Sequence, residues 1–511
     1  MNILNQYEEK IKGRLATFDR IIIKGYIRQL CNVQQFKVFL SLNNILWKDF
    51  PAYAQNVTSN LCAHIENLAT EQNRPYTYLN SPSISKEQTA LDMLKEHPID
   101  NGLIGIIGTV ETCNTMNVCS NRETKQLQLK WSNRKCKYYY LYFLDEEFGF
   151  MHVKIQTWFP FMVQIYINGR EYLSKKLDKE NIKYTRYDNC FTDIENIERA
   201  QELADKIDSK NLSNSFDGII QKINNYLPTI EQTMGHAYFW CVSECEYATD
   251  IMFKSRKDLE DIYPSLVEHA FFSFKCEDIM TFLGRKMHPA FQGELGSDYR
   301  KRKEGIRIKH KMKSNSIKMY DKNSVLRIET TINDPHEFKI LKNVTTNEGY
   351  EVKRWVPMGK SIANLYRYKE VSEASNMRYI EALGNAIDKS KPIKEIEKVS
   401  SKIIVNGRRY TGFNILDKET TKLLEILSNG KFMINGFRNC DIKYELYGSR
   451  EDVESIKVRN RITRLLAKLR AHNLIKKVPN ELKYYVTEKG RKIISQVLYF
   501  KNNELAKTCN K

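Results

Sequence analysis

The chain has 511 residues, with 81 Lys and Arg against 62 Asp and Glu, a formal net charge of +19. That length allows two to four domains with a sizeable core, and a hydrophobic share of 41% is ordinary for a globular protein. The longest apolar runs, GLIGIIGTV and YYYLYFLDEEFGFMHVKIQTWFPFMVQIYI, are too short or too interrupted to cross a bilayer, which sets a membrane role aside. The N-terminal MNILNQYEEKIKGRL has no signal-peptide core. Eleven irregularly spaced cysteines point to reduced thiols and a cytoplasmic location.

Hydrophobic periodicity predicts a mixed α/β (α+β) chain. Residues 1–125 read as an α/β region: FDRIIIKGYI (18–27) as a strand, QFKVFLSLNNI and YAQNVTSNLCAHIENLATEQN as helices, GLIGIIGTV (102–110) as a buried strand. Residues 126–388 read as a central, β-rich domain with a helical insertion. Its first part predicts a hairpin, KCKYYYLYFLD and FGFMHVKIQTW, turning at Asp145-Glu146-Glu147. A helix over FMVQIYINGREYLSKKLDKEN and a strand at IKYTRYD follow, a ββαβ order that suits a ferredoxin-like or RRM-like sheet. Residues 194–280 read as mostly helical, and SIANLYRYKEVSEASNMRYIEALGNAID (361–388) as one long helix. A linker (389–402), a last unit (403–500) and a basic tail (501–511) complete the chain.

The cationic excess is clustered. Between Arg300 and Lys322 there are ten Lys or Arg and two acids. Such a strip calls for a polyanion, and nucleic acid is the expected partner, DNA before RNA. Arg300, Lys301, Arg302, Arg307, Lys309, His310 and Arg327 are the candidate contacts there.

The stretch SIKMYDKNSVLRIETTIN (316–333) has the period-2 pattern of a hairpin. A turn at Asn323-Ser324 sets Lys318 opposite Glu329, Tyr320 opposite Arg327 and Met319 opposite Ile328. A slip of two residues would set Lys318 against Arg327, which like-charge repulsion disfavours. One face is then core, and the other a Lys, Tyr, Arg and Glu cluster.

In the C-terminal unit, SIKVRNRITRLLAKLRAH (455–472) places Val458, Ile462, Leu465, Leu466 and Leu469 on one helical stripe, and Lys457, Arg461, Arg464 and Lys468 on another. Two helices before it and a hairpin after it complete a pattern that resembles the winged helices of MarR-like regulators. That resemblance implies a basic helix in a major groove and a wing at 477–487 on the backbone. Winged helices often pair, so a homodimer is allowed.

TFLGRK (281–286), IKMYDK (317–322) and LRIET (326–330) together resemble a pattern in the rolling-circle replication initiators of small plasmids and filamentous phages, where a Gly-containing strand, a Tyr-Asp-Lys strand and an Arg-x-Glu strand share one sheet. The whole layout, with QTWFPF and FQGE, also resembles a bacterial family without an assigned activity. The initiator resemblance implies metal-dependent DNA nicking and joining of the kind mobile genetic elements use, in which a tyrosine attacks a phosphodiester and becomes linked to the 5′ phosphate. On that reading Glu329, Asp321 and Glu294 would hold Mg²⁺ or Mn²⁺. Tyr366, in YRYK, would be the nucleophile with Tyr368 as its rival, and Lys318 and Lys322 would stand beside the reacting phosphate. The family's His-hydrophobe-His metal pair is missing from the sequence.

Other groupings are weaker. Cys113, Cys119 and Cys136 with His152 are candidate zinc ligands, although the spacing is not that of a CxxC pair. Cys241 and Cys245, four apart on a predicted helix, read as buried thiols. Glu246 and Asp250, also four apart, read as a salt-bridge network in preference to an acidic site beside Lys286. No P-loop or Gly-x-Ser-x-Gly elbow occurs. Aromatics interleave with cations at KCKYYYLYF and QTWFPF, where they would either stack bases or fill the core. Two functions are therefore expected as alternatives: a DNA nicking and joining enzyme of replication-initiator or mobile-element type, and a non-catalytic DNA- or RNA-binding protein, either a regulator or part of a ribonucleoprotein.

Overall fold

The computed structural model describes residues 3–121, 123–235, 238–289, 291–303, 305–345, 349–384, 399–414, 417–448 and 456–500. In chain order the strands are β1 (Ile11–Tyr26), β2 (Tyr76–Tyr78), β3 (Gly102–Ser120), β4 (Leu127–Asp145), β5 (Gly149–Gln156), β6 (Val163–Asn168), β7 (Tyr184–Arg186), β8 (Phe191–Ile194), β9 (Phe239–Phe253), β10 (Leu295–Lys301), β11 (Ile306–Met312), β12 (Asn315–Lys322), β13 (Val325–Ile332), β14 (Lys339–Thr345), β15 (Glu351–Pro357), β16 (Ile403–Val405), β17 (Arg408–Tyr410), β18 (Phe437–Arg438), β19 (Ile475–Lys477) and β20 (Lys483–Val486). Eleven of them form one sheet in the order β10-β11-β12-β13-β9-β1-β6-β5-β4-β3-β2. Its pairs are antiparallel except β2–β3.

Strand alternation assigns each residue to one of two faces. On one face Ala16, Phe18, Ile251, Phe253 and Ile328 join the main core with helices Phe50–Glu71, Ser209–Ile223 and Leu365–Leu383. On the other face, Leu15, Met252 and Val325 pack under helices Gly169–Lys179 and Ile197–Ala204 through Leu173, Leu177 and Leu203. Further along that second face, Ala90 and Met93 of helix Lys86–Glu96 cover Ile104, Ile107, Tyr140 and Tyr142. The polar face of the 316–333 hairpin lies beside the first of these covers.

The hairpin register is as expected, with Lys318 paired to Glu329, Tyr320 to Arg327 and Met319 to Ile328. Asn323 sits at the turn with φ 56°, a left-handed conformation that Asn tolerates well. Four expectations change. The 126 boundary falls in the turn between β3 and β4, and one sheet runs across it. Residues 163–168 form strand β6, because Val-Gln-Ile-Tyr-Ile alternates with period 2, and the helix starts only after the Asn168 cap, whose side chain accepts from Arg170 N at 2.8 Å. The ββαβ order is lost with that strand. Residues 239–253 form strand β9, so Cys241, Cys245, Glu246 and Asp250 are strand positions. TFLGRK is the end of helix Cys276–Phe282 and a turn, with no strand.

The C-terminal unit has its own core, with Leu423, Leu427, Ile442, Ile462, Leu466, Leu469 and Val486 buried together. It contains helices Lys418–Leu427, Asn439–Tyr447 and Ile456–Ala471 and a three-stranded sheet in the order β18-β20-β19. It is docked on the central sheet's helices: Lys431 Nζ pairs with Glu277 at 2.5 Å, Lys431 N donates to Asp278 at 3.0 Å, and Arg491 pairs with Glu381 at 3.2 Å. Residues 389–398 of the expected linker and the 501–511 tail lie outside the described residues. Among the described residues, no helix is long and apolar enough to cross a membrane.

Gly169 allows helix Gly169–Lys179 to close on β1, since a Cβ there would lie 2.2 Å from the Phe18 carbonyl oxygen. Gly169→Ala is therefore expected to destabilise the protein by about 1–3 kcal/mol in urea unfolding. Gly218→Ala, in helix Ser209–Ile223 with open space around it, is expected to stabilise by about 0.4–1 kcal/mol. Equal effects at the two positions would refute this account of the packing.

Candidate functional site

β1, β9 and β13 bring three charged side chains onto the second face of the sheet. Arg327 is 1% exposed and grips Asp250, Nε to Oδ1 at 2.7 Å and Nη2 to Oδ2 at 2.8 Å, while its Nη1 reaches Asp19 at 3.1 Å. Arg170, fully buried on the first turn of helix Gly169–Lys179, pairs with the same two carboxylates at 3.0 Å each. Asn189 donates to Asp19, and its carbonyl accepts from Arg327 Nη2 at 2.6 Å. Two guanidiniums and two carboxylates thus form a neutral buried quartet. Asp19 reaches it because the β1–β9 register shifts between Phe18 and Ile21. Burial pushes the Asp250 carboxyl up, but Arg170 and Arg327 outweigh it and hold the pKa below the ordinary value.

A second tier lies beside the quartet. Lys318 Nζ donates to Glu329 at 2.5 Å and to Glu246 at 2.8 Å, and Tyr320 donates to the other Glu329 oxygen at 2.5 Å. Arg20 bridges Glu246, at 3.2 Å, and Glu244. Burial would raise the Glu329 carboxyl, yet Lys318, Tyr320 and Arg327 bring it down to about 2. Glu246 moves the opposite way, raised by burial and by Glu329 against the pull of Lys318. The Tyr320 phenol is held well above its usual pKa by burial and by Glu329.

Above these tiers opens a polar basin of about 400 Å³. Arg20, Arg302, Arg307, Lys318, Lys322 and Arg327 line it against three carboxylates, Asp19, Glu246 and Glu329, an excess of three positive charges in the lining. Arg302 lies 4.7 Å over the Tyr320 ring, Lys322 pairs with Asp188, and Arg307 meets Asp298 at 3.4 Å. At the rim, Lys309 sits directly opposite Lys318 and Arg300 directly opposite Arg307. The Lys309 ammonium is pushed to a lower pKa by burial and then by Lys318 and Lys311.

Several expected site residues are elsewhere. His310 points to the opposite face, fully buried between Ser297 at 2.7 Å and the Tyr379 hydroxyl at 3.0 Å, because odd and even residues of β11 face opposite ways. It is a core residue. Asp321 shares the core-side face of β12 with Met319 and lies against Gly305, and Glu294 is exposed before β10. Glu329, Asp321 and Glu294 therefore do not converge, and both Glu329 oxygens are taken by Lys318 and Tyr320, so this trio does not fit Mg²⁺ or Mn²⁺. Among the described residues, no group of three His, Cys, Asp or Glu is placed to hold a metal ion. Tyr368 is buried and Tyr366 exposed on helix Leu365–Leu383, which packs on the core-side face through Asn376 and Thr330, so the sheet separates both tyrosines from Glu329. Cys113 and Cys136 are disulfide-bonded, against the expectation of reduced thiols, which the other eight described cysteines meet, and His152 stacks on Tyr166 at 5.1 Å, so the zinc grouping is not assembled. Glu246 and Asp250 do belong to salt-bridge networks. Arg300 and Lys301 are exposed on the edge strand β10.

Asp19, Arg20, Tyr166, Arg170 and Asn189 were not singled out by the sequence pattern. The one legible signal was the charged pair Asp19-Arg20 set directly before the apolar run Ile21–Ile23 of β1. In the C-terminal unit, Lys457, Arg461 and Arg464 are exposed along helix Ile456–Ala471; Arg461 pairs with Glu419, and Lys468 lies 4.2 Å over the Phe413 ring. Comparison of the chain with family models, with curated proteins and with solved structures found no match.

Glu329 has a folded pKa near 2, below the roughly 4.3 of an unfolded chain, so its stabilising contribution is complete above that range and is lost as pH falls towards 2. In urea unfolding, the stability gap between wild type and Glu329→Gln is therefore expected to be constant from pH 7 to 5 and to shrink from pH 5 to 2; a constant gap refutes the assignment. Asp250→Asn, which leaves two buried guanidiniums short of charge, is expected to cost about 3–5 kcal/mol at pH 7.

Proposed function

We infer that the protein binds nucleic acid, DNA more than RNA, and that a phosphodiester backbone seats on the cationic rim of the basin. The observation that carries this reading is the pair of like-charge contacts at the rim, Lys309 opposite Lys318 and Arg300 opposite Arg307. Like charges directly opposed on a sheet destabilise it by roughly 0.2–1 kcal/mol each, and a bound anion removes that cost. Arg302, Arg307 and Lys309 supply charge-assisted donors, with Arg302 held over the Tyr320 ring and Arg307 on Asp298. In this reading the C-terminal unit is a winged helix, with Lys457, Arg461 and Arg464 toward the duplex and the β19–β20 hairpin as its wing. Helices Lys418–Leu427, Asn439–Tyr447 and Ile456–Ala471, the hairpin and the exposed basic stripe support that assignment.

A second reading, DNA nicking and joining, draws on one observation. Glu246 and Glu329 share Lys318 while their pKa values are pushed apart, the arrangement of an acid/base pair. The nucleophile would have to come from the basin face, which Tyr366 and Tyr368 do not occupy.

The test is fluorescence anisotropy with labelled single- and double-stranded DNA and RNA over a salt series. The wild type is expected to bind with a steep salt dependence, and Arg302→Ala and Lys309→Ala are each expected to weaken binding several-fold and to lower the salt slope by about one. Tyr366→Phe is expected to bind as the wild type does. Failure to bind any of the four polymers refutes the reading. Incubation with supercoiled DNA and Mg²⁺ or Mn²⁺, followed by a denaturing gel, decides the second reading: a covalent protein–DNA band supports it, and uncut DNA refutes it.

A further inference from the structure

β14 and β15 form a two-stranded ribbon of their own, separate from the large sheet. Its base is fixed. Phe338, Ile340 and Met358 are buried, Met358 N donates to the Phe338 carbonyl at 2.8 Å, and Arg367 Nε donates to the Lys339 carbonyl at 2.9 Å. Beyond Ile340, no described residue of either strand is buried. A two-stranded hairpin has little stability of its own, and a solvated arm of this kind contributes little to the core. Its composition also points outward. The described residues of the two strands carry Lys339, Lys342, Lys353 and Arg354 against one carboxylate, Glu351. Lys342 stands directly opposite Arg354, a further like-charge pair. On the face of the ribbon that Lys353 shares, opposite to that of Lys342 and Arg354, Leu341 is 46% and Trp355 55% exposed, with Arg367 lying 5.3 Å over the Trp355 ring.

We propose that the β14–β15 ribbon is a second nucleic-acid contact, an arm that enters the major groove of duplex DNA. Charge complementarity selects a polyanion, and shape selects a duplex groove. The major groove is about 12 Å wide and admits a two-stranded β-ribbon, whose strands lie about 4.8 Å apart before side chains are added. A seven-residue strand is roughly 23 Å long, enough to follow a groove over several base pairs. Lys342, Lys353 and Arg354 reach phosphates and the acceptor edges of guanine, while Leu341 and Trp355 offer apolar contact to thymine methyls. The inference rests on the nucleic-acid reading of the basin but uses different residues, on a different element.

The experiment compares the full-length wild type with the triple variant Lys342→Ala, Lys353→Ala, Arg354→Ala, by anisotropy on a 30-base-pair DNA duplex and on single-stranded DNA over a salt series. All three positions are exposed, and circular dichroism confirms that the variant is folded. The triple variant is expected to lose at least tenfold in duplex affinity, to lower the salt slope by close to three, and to bind single-stranded DNA as the wild type does. Methylation of guanine N7, which projects into the major groove, is expected to interfere more strongly with wild-type binding than with the variant's residual binding, in which only the C-terminal helix would still enter that groove. Duplex binding that the variant retains in full overturns the arm while leaving the basin reading intact. Equal losses on duplex and single strands, or interference confined to the minor groove, overturn the major-groove assignment. A wild type that binds no nucleic acid overturns both readings.

Discussion

Arg327 and Arg170 stand side by side, almost without solvent contact, and share Asp250 and Asp19. Two buried guanidiniums are tolerable only if each has both charge compensation and hydrogen-bond partners, because the desolvation of each ion costs several kcal/mol. The quartet meets the charge demand for both guanidiniums, and the hydrogen-bond demand for Arg327 and for Arg170 Nη2, by drawing on β1, β9, β13, helix Gly169–Lys179 and the loop at Asn189. Those segments cannot move independently without exposing an uncompensated charge. An apolar cluster would hold the strands as well, but it would tolerate sliding; bidentate Arg–carboxylate geometry does not. The quartet therefore fixes the register of the sheet at the place where the basin opens.

From that floor the electrostatics change in steps. The quartet is neutral and dry. The next tier shares one ammonium, Lys318, between two glutamates and adds Arg20 and the Tyr320 hydroxyl. At the rim the balance fails in one direction, and cations face cations across the strand pairs. Each tier orients the one above it: Glu329 holds Tyr320, Tyr320 carries Arg302 over its ring, and Lys318 keeps its charge next to Lys309. A preorganised cationic surface of this kind recognises an anion without a rearrangement of the cations themselves, which lowers the entropy cost of binding.

The hairpin at the centre of the site was legible because its alternation is strict and because an alternative register opposed Lys318 to Arg327. The helices Phe50–Glu71, Leu365–Leu383 and Ile456–Ala471 were legible for the same kind of reason, a single dominant period. Strand β9 was not, since Cys245 to Phe253 is buried almost throughout and a run buried on both faces has no period to read. Strand β6 was hidden by the helix that follows it without a gap, although Asn168-Gly169 was a readable cap. The quartet was illegible in principle: Arg327 and Asp19 are 308 positions apart, and no local pattern connects them. The placement of Glu329, Asp321 and Tyr366 in one site failed on parity. Neighbouring strand residues face opposite ways, so a motif that is contiguous in sequence is divided by the sheet.

Parity also links the two cationic surfaces. A charge on a strand acquires meaning only from the residue that the register sets against it. Lys309 and Lys318, Arg300 and Arg307, and Lys342 and Arg354 are opposed in three separate strand pairs. Folding alone disfavours each of these juxtapositions, and the same molecule pairs its cations with carboxylates with care wherever they are buried. Within the chain Lys318 is balanced by Glu246 and Glu329 and Arg307 by Asp298, and in the proposed reading a polyanion neutralises the cations set opposite them and the Lys342–Arg354 pair. The buried quartet and the opposed cations thus come under one electrostatic rule, satisfied from within the chain at the floor of the basin and, in the proposed reading, by a polyanion at the rim and along the ribbon.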